Sequence, residues 1–86
     1  MNVTHVFAVN VRTYRKRLGL SQEALAEKSH LHRTYISSLE LEKRNISLKN
    51  VQAISEALGV ETYRLFLDPT VEYDGEDKRE PARDDS

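Results

Sequence analysis

The run Ser21-Gln22-Glu23-Ala24-Leu25-Ala26-Glu27-Lys28-Ser29-His30-Leu31-His32-Arg33-Thr34-Tyr35-Ile36-Ser37-Ser38-Leu39-Glu40 decides how this chain folds. Ser21 can cap a helix, and Glu23 places a negative charge in its first turn, where the backbone dipole favours it. Ala24, Leu25 and Lys28 carry that helix to about Ser29. After the connection His30-Leu31-His32, a second short helix runs from Arg33 to Leu41, with Ile36 and Leu39 as its buried pair. Two short helices in immediate succession fit a helix-turn-helix.

The pattern extends outward on both sides. Upstream, Phe7, Val11, Tyr14 and Leu18 recur at spacings of four and three, which is one face of a helix over 7–18. Arg12, Arg15 and Arg17 occupy its other face, and Gly19 stops it. Downstream, Glu42-Lys43-Arg44-Asn45 is a polar connection, and Ser47 caps a fourth helix with an apolar row of Leu48, Val51, Ile54 and Leu58. Gly59 supplies its stop. A fifth, shorter helix is expected over 62–67. The alternation at Val9-Asn10-Val11 lasts only three residues inside a longer helical pattern, so no strand competes. The fold class is all-α, with five helices.

Composition divides the chain in two. The 86 residues have a formal net charge of -1, but residues 1–67 hold ten Lys/Arg against six Asp/Glu, whereas residues 68–86 hold three against eight. The first part reads as one helical domain with a basic surface, suited to an anionic partner. The second contains both prolines and Gly75 with little to bury, and reads as a flexible acidic tail. The absence of cysteine excludes disulfide stapling and thiolate chemistry. No apolar run is long enough to span a bilayer, and Met1-Asn2-Val3-Thr4-His5 does not read as a secretory leader, so a cytoplasmic location is expected.

The polar residues of the central run form a coherent face. Arg33 and Thr34 open the second helix of the pair, with Ser37 and Ser38 one turn on. Such side chains can meet base edges in a major groove. Gln22 sits beside the free N–H groups that begin the first helix, where a phosphate can be held. Catalysis has no comparable support. His5, His30 and His32 lack the carboxylates or thiolates that would make a metal pair convincing, and no phosphate loop or nucleophile elbow occurs. No cofactor, metal site or catalytic group is expected.

Several stretches resemble the lambda-repressor-like, or XRE, family of DNA-binding regulators. They are Leu18-Gly19-Leu20-Ser21-Gln22-Glu23-Ala24-Leu25-Ala26, Arg33 to Glu40, Lys43-Arg44-Asn45-Ile46-Ser47-Leu48, Ala57-Leu58-Gly59-Val60 and Leu65-Phe66. The resemblance covers about residues 6–67. Arg-Thr-Tyr-Ile-Ser in the second helix and Arg-Asn-Ile-Ser after it are most similar to restriction–modification controller proteins. This likeness implies a five-helix domain that binds a near-palindromic operator in double-stranded DNA as a homodimer, with RNA polymerase blocked or recruited nearby. It places Arg33, Thr34 and Ser38 at bases, with Tyr35 and Ser37 flanking them. It places Gln22, Lys43, Arg44 and Asn45 toward the DNA backbone.

The same resemblance puts a buried ion pair at Arg15 and Glu40, and a dimer contact at the fifth helix around Val60, Tyr63, Leu65, Phe66 and Leu67. Taken from the residues alone, alternatives remain beside these roles. Arg33 can bind a phosphate, Arg15 can do so from the surface, and the cluster from Val60 to Leu67 can simply cap the monomer core. A protein-interaction module or antitoxin-like partner on the same fold, with the acidic tail contacting another protein, is the second functional class. Four positions depart from the family pattern: His30 stands where glycine is frequent, His32 replaces a frequent Ser or Thr, and Leu41 and Glu42 replace what is often Arg or Asn followed by Gly.

Overall fold

Asn2 starts the first helix four residues earlier than the apolar spacing suggests. In the computed structural model, which describes residues 2–71, its side chain accepts a hydrogen bond from the His5 amide at 3.1 Å, and α1 runs Val3–Arg17. Val6, Phe7, Ala8, Asn10, Val11 and Arg15 face inward. Leu18, expected on the buried face, instead lies past the helix end as an exposed C-cap.

Helix α2 spans Gln22–Ser29 and α3 spans Arg33–Glu40. Ser21 caps α2 by accepting from the Ala24 amide at 3.0 Å. His30 closes α2 in the left-handed conformation, φ 61°, and its N–H returns to the carbonyl of Glu27. Leu31 completes the turn through its bond to the Ala26 carbonyl at 2.9 Å. The α3 helix ends at Glu40, leaving Leu41 exposed.

Helix α4 covers Leu48–Leu58, with Ser47 as its cap and Gly59 at φ 71° as its stop. Val51, Ile54 and Leu58 are buried as the spacing implies, but Leu48 is 86% exposed. It occupies the first helical position, at the rim of the domain, where the helical period no longer points a side chain at the core.

The expected fifth α-helix is a 3-10 turn, Thr62–Phe66, so the described residues hold four α-helices and this turn. Its shortness has a local cause. Pro69 has no N–H to return to the Leu65 carbonyl, as an α-helix would require. Buried Asn10 on α1 fills that need, its amide donating to the carbonyls of Leu65 at 2.9 Å and Leu67 at 2.8 Å. Ser55 on α4 fixes the other end through its hydroxyl contact with Thr62, 3.0 Å.

The core gathers Phe7 and Val11 from α1, Leu25 and Ala26 from α2, Ile36 and Leu39 from α3, Val51, Ile54 and Leu58 from α4, and Leu65 from the turn. Each element thus contributes one apolar stripe to a shared centre. No helix among the described residues is long and apolar enough to cross a membrane. The tail expected over 68–86 lies outside the described residues from position 72 onward.

Candidate nucleic-acid interface

Helix α3 presents its polar face because its other face is committed to the core. Ile36 and Leu39 are buried, Arg33 and Thr34 are exposed, and Ser37 and Ser38 are half-buried beside them. All four lie on an eight-residue helix that is held against α1 and α2.

Arg15 fixes that helix. Its Nε donates to Glu40 Oε2 at 2.7 Å and its Nη2 to Glu40 Oε1 at 3.0 Å, a two-pronged pair whose side chains are only 10% and 5% exposed. The third nitrogen, Nη1, donates to the Leu20 carbonyl at 2.9 Å. Charge-assisted bonds of this forked geometry resist rotation as well as separation. Gln22 joins the same cluster: its Nε2 donates to Glu40 Oε1 at 3.1 Å. One of its two amide hydrogens is therefore committed inside the protein, which ties the start of α2 to the end of α3.

A groove of about 310 Å³ opens over this cluster, bordered by Arg12 and Lys16 of α1, Gln22 of α2, and Ser37 and Leu41 at α3. Lys16 had no distinguishing signal in the sequence beyond its charge. The structure sets it one turn beyond Arg12 along the rim.

Tyr35 is the other anchored residue. Half-buried, it lies with its ring centroid 4.8 Å from the Arg44 guanidinium carbon, and its hydroxyl accepts from Asn50 Nδ2 at 3.1 Å. The stacking orients Arg44 in a loop exposed at Lys43, Arg44 and Asn45. Asn50 gave no functional signal in the sequence, since its place within α4 has no motif attached. Glu42, at the start of that loop, also adopts a left-handed conformation, φ 63°. Both positions that lack the family's glycine thus take the backbone conformation that glycine adopts at least cost.

The residues expected at the dimer contact differ in exposure within the monomer. Leu65 is fully buried inside the monomer, so it offers no surface to a second copy. Phe66 leans on Phe7 with ring centroids 5.3 Å apart, while Val60 packs partly against the core. Leu67 is half-buried and Tyr63 exposed. Beside Phe66 is an apolar cleft of about 300 Å³, with Val3, Ile46 and the projecting Leu48 on its rim and Arg44 and Asn45 at one end.

A two-helix reading unit carried on a small α-helical core, with an exposed polar face on its second helix, defines the class. A family model described as helix-turn-helix matches residues 11–65. The chain belongs to that helix-turn-helix family, of the XRE type, and within it is related to restriction–modification control proteins. The control protein C.SmaI of Serratia marcescens is 45% identical over 66 residues, covering 77% of this chain and 79% of that protein. A hypothetical transcription factor of Neisseria meningitidis is 45% identical over 64 residues, 74% of this chain; the match spans 60% of that protein's length. The fold also superposes on the controller protein C.Esp1396I, solved as a tetramer with its natural 35-base-pair operator. There the TM-score is 0.71 at 33% identity, covering 77% of this chain and 87% of that one.

Proposed function

We propose that this protein is a sequence-specific, dimeric DNA-binding regulator in the cytoplasm that controls a restriction–modification operon, its own gene included. The observation that carries the reading is the polar face of α3, held in one orientation by the Arg15–Glu40–Gln22 cluster. A rigid mount lets short side chains discriminate, because base-edge hydrogen bonds tolerate little displacement. Arg33, Thr34 and Ser38 meet bases, with Tyr35 and Ser37 beside them. Lys43, Arg44 and Asn45 approach phosphates, and Gln22 uses its remaining amide hydrogen there.

Two copies are required for a near-palindromic site, since each presents one α3. The dimer face proposed here keeps Val60, Tyr63, Phe66 and Leu67, omits buried Leu65, and adds Leu48 and Val3. The second copy fits this apolar surface because it is continuous with the Phe66 cleft and lies on a domain that must be paired to read both half-sites. Occupied DNA then excludes RNA polymerase from one promoter or recruits it to another, and protein concentration sets the occupancy.

Selection of bound genomic fragments, followed by titration of the recovered duplex at two salt concentrations, tests the reading. The expected result is a near-palindromic sequence bound in preference to random DNA, with affinity falling as salt rises. Equal affinity for all sequences overturns it.

A further inference from the structure

We propose that His5 is a positioning residue for the loop of residues 41–47: it holds Glu42, and through Glu42 it fixes the angle at which Lys43 and Arg44 meet the DNA backbone. This rests on the DNA-binding function proposed above.

His5 Nδ1 lies 2.7 Å from Glu42 Oε2, joining the first turn of α1 to the end of α3 across 37 positions of sequence. Both partners are well placed for the contact. The His5 backbone is fixed by the Asn2 cap, and Glu42 follows α3 directly, its N–H bonded to the Leu39 carbonyl at 3.0 Å. Glu42 also sits at φ 63°, where a side chain other than glycine is disfavoured. Such a conformation persists when surrounding contacts hold it, and the bond to His5 is one of them.

The next residue shows what the contact restrains. The Lys43 amide donates back to the Ser38 carbonyl at 2.9 Å, and Arg44 lies over Tyr35. These two contacts tie the loop to α3, whereas His5–Glu42 ties it to α1. A loop held on both sides presents Lys43 and Arg44 together; released from α1, it swings about the α3 end.

Charge gives the contact a second consequence. Glu42 is an acid beside Lys43 and Arg44, and a phosphate approaching them meets its repulsion. Oε2 of that carboxylate is engaged by His5 Nδ1.

Two readouts on the full chain test the proposal. The first needs no DNA: amide hydrogen exchange in the free protein. In His5→Ala, the Lys43 amide exchanges about tenfold faster while the α4 amides are unchanged. The second is titration of the selected duplex between about 50 and 200 mM salt. His5→Ala binds about five- to tenfold more weakly at the lower salt, with a log–log slope smaller by about 1–2 and the same base preference. His5→Gln, which keeps a hydrogen-bond donor, regains most of the affinity. Unchanged Lys43 exchange in His5→Ala overturns the clasp, and an unchanged salt slope overturns its role in aiming the loop. Wild-type protein that ignores DNA sequence overturns the function proposed above, while the exchange result still decides whether His5 holds the loop.

Discussion

Arg15 and Glu40 are joined by two parallel N–H···O bonds between α1 and α3, and the same guanidinium also reaches the Leu20 carbonyl ahead of α2. One side chain thus locks three segments. Its removal leaves a carboxylate in a largely dry site, and the penalty for an uncompensated buried charge exceeds what the pair itself contributes. Arg15→Met is expected to lower the unfolding free energy by about 3–5 kcal/mol, read by urea denaturation. The double variant Arg15→Met/Glu40→Leu should lose much less than the sum of the single changes. A single-variant loss under about 1 kcal/mol would mean that water solvates the pair as it does at a surface.

Arg33 and Lys43 should fail in different ways. Arginine can donate two hydrogen bonds to guanine, so Arg33→Ala is expected to cost about 1–3 kcal/mol at one base position and its symmetry mate, and much less on DNA mutated there. Lys43→Gln should weaken all sequences alike and reduce the salt slope by about 0.9. Competition binding with a panel of single-base variants separates the two. A uniform loss in Arg33→Ala would move that residue to the phosphates.

Asn10 has both amide hydrogens committed to the carbonyls of Leu65 and Leu67. Asn10→Ala leaves two acceptors without that donor at the point where the 3-10 turn meets α1. Their desolvation sets an expected loss of about 1–3 kcal/mol. Thermal unfolding measures it, and hydrogen exchange should show the 62–67 segment opening first. Wild-type stability in that variant would show that the carbonyls find water at no cost.

The helix-turn-helix was legible because its signals are local. Ser21 and Ser47 cap, Gly59 stops, and Ile36 and Leu39 mark an inward face, all within one or two turns of the residues they control. What escaped depended on distance or on position within an element. Nothing near Asn10 announces that its partners lie 55 and 57 residues away. Pro69 withholds the donor that would bond the Leu65 carbonyl in a longer helix, and the apolar cluster over 62–66 forms a 3-10 turn. Leu48 matched the period of its helix but stands on the first position, where the axis has already left the core. The polar face of α3 was legible as residue types, while its mount was partly hidden: Gln22 read as a phosphate ligand, and its link to Glu40 emerged from the packing of α2 on α3.

His30 and Gly59 allow one backbone conformation to be tested in both directions. Each closes a helix at positive φ, 61° and 71°. Open space surrounds the point where a Cβ would stand at Gly59, so Gly59→Ala is opposed by backbone strain alone, about 1–2 kcal/mol. His30→Gly relieves similar strain but adds freedom to the unfolded chain, which offsets part of the gain. The expected net effect is a stabilisation of about 0.5 kcal/mol, visible as a higher denaturation midpoint with unchanged slope. A destabilised His30→Gly would show that the imidazole makes a contribution larger than the strain it imposes.

Leu48 and Leu65 allow the proposed dimer surface to be tested separately from the monomer core. Leu48 is 86% exposed at the start of α4, whereas Leu65 is fully buried. Leu48→Asp places a carboxylate where the helix dipole favours it, so the monomer should unfold within about 0.5 kcal/mol of wild type. The same charge would be buried unpaired between two copies, a much larger penalty. Sedimentation equilibrium is therefore expected to show a folded monomer at concentrations where the wild type is paired, with cooperative occupancy of the two half-sites lost. Leu65→Ala should do the reverse, losing about 2–5 kcal/mol of fold stability to a cavity while leaving the surface chemistry of the interface intact. A Leu48→Asp protein that remains dimeric would remove Leu48 from the interface and return the contact to Tyr63, Phe66 and Leu67.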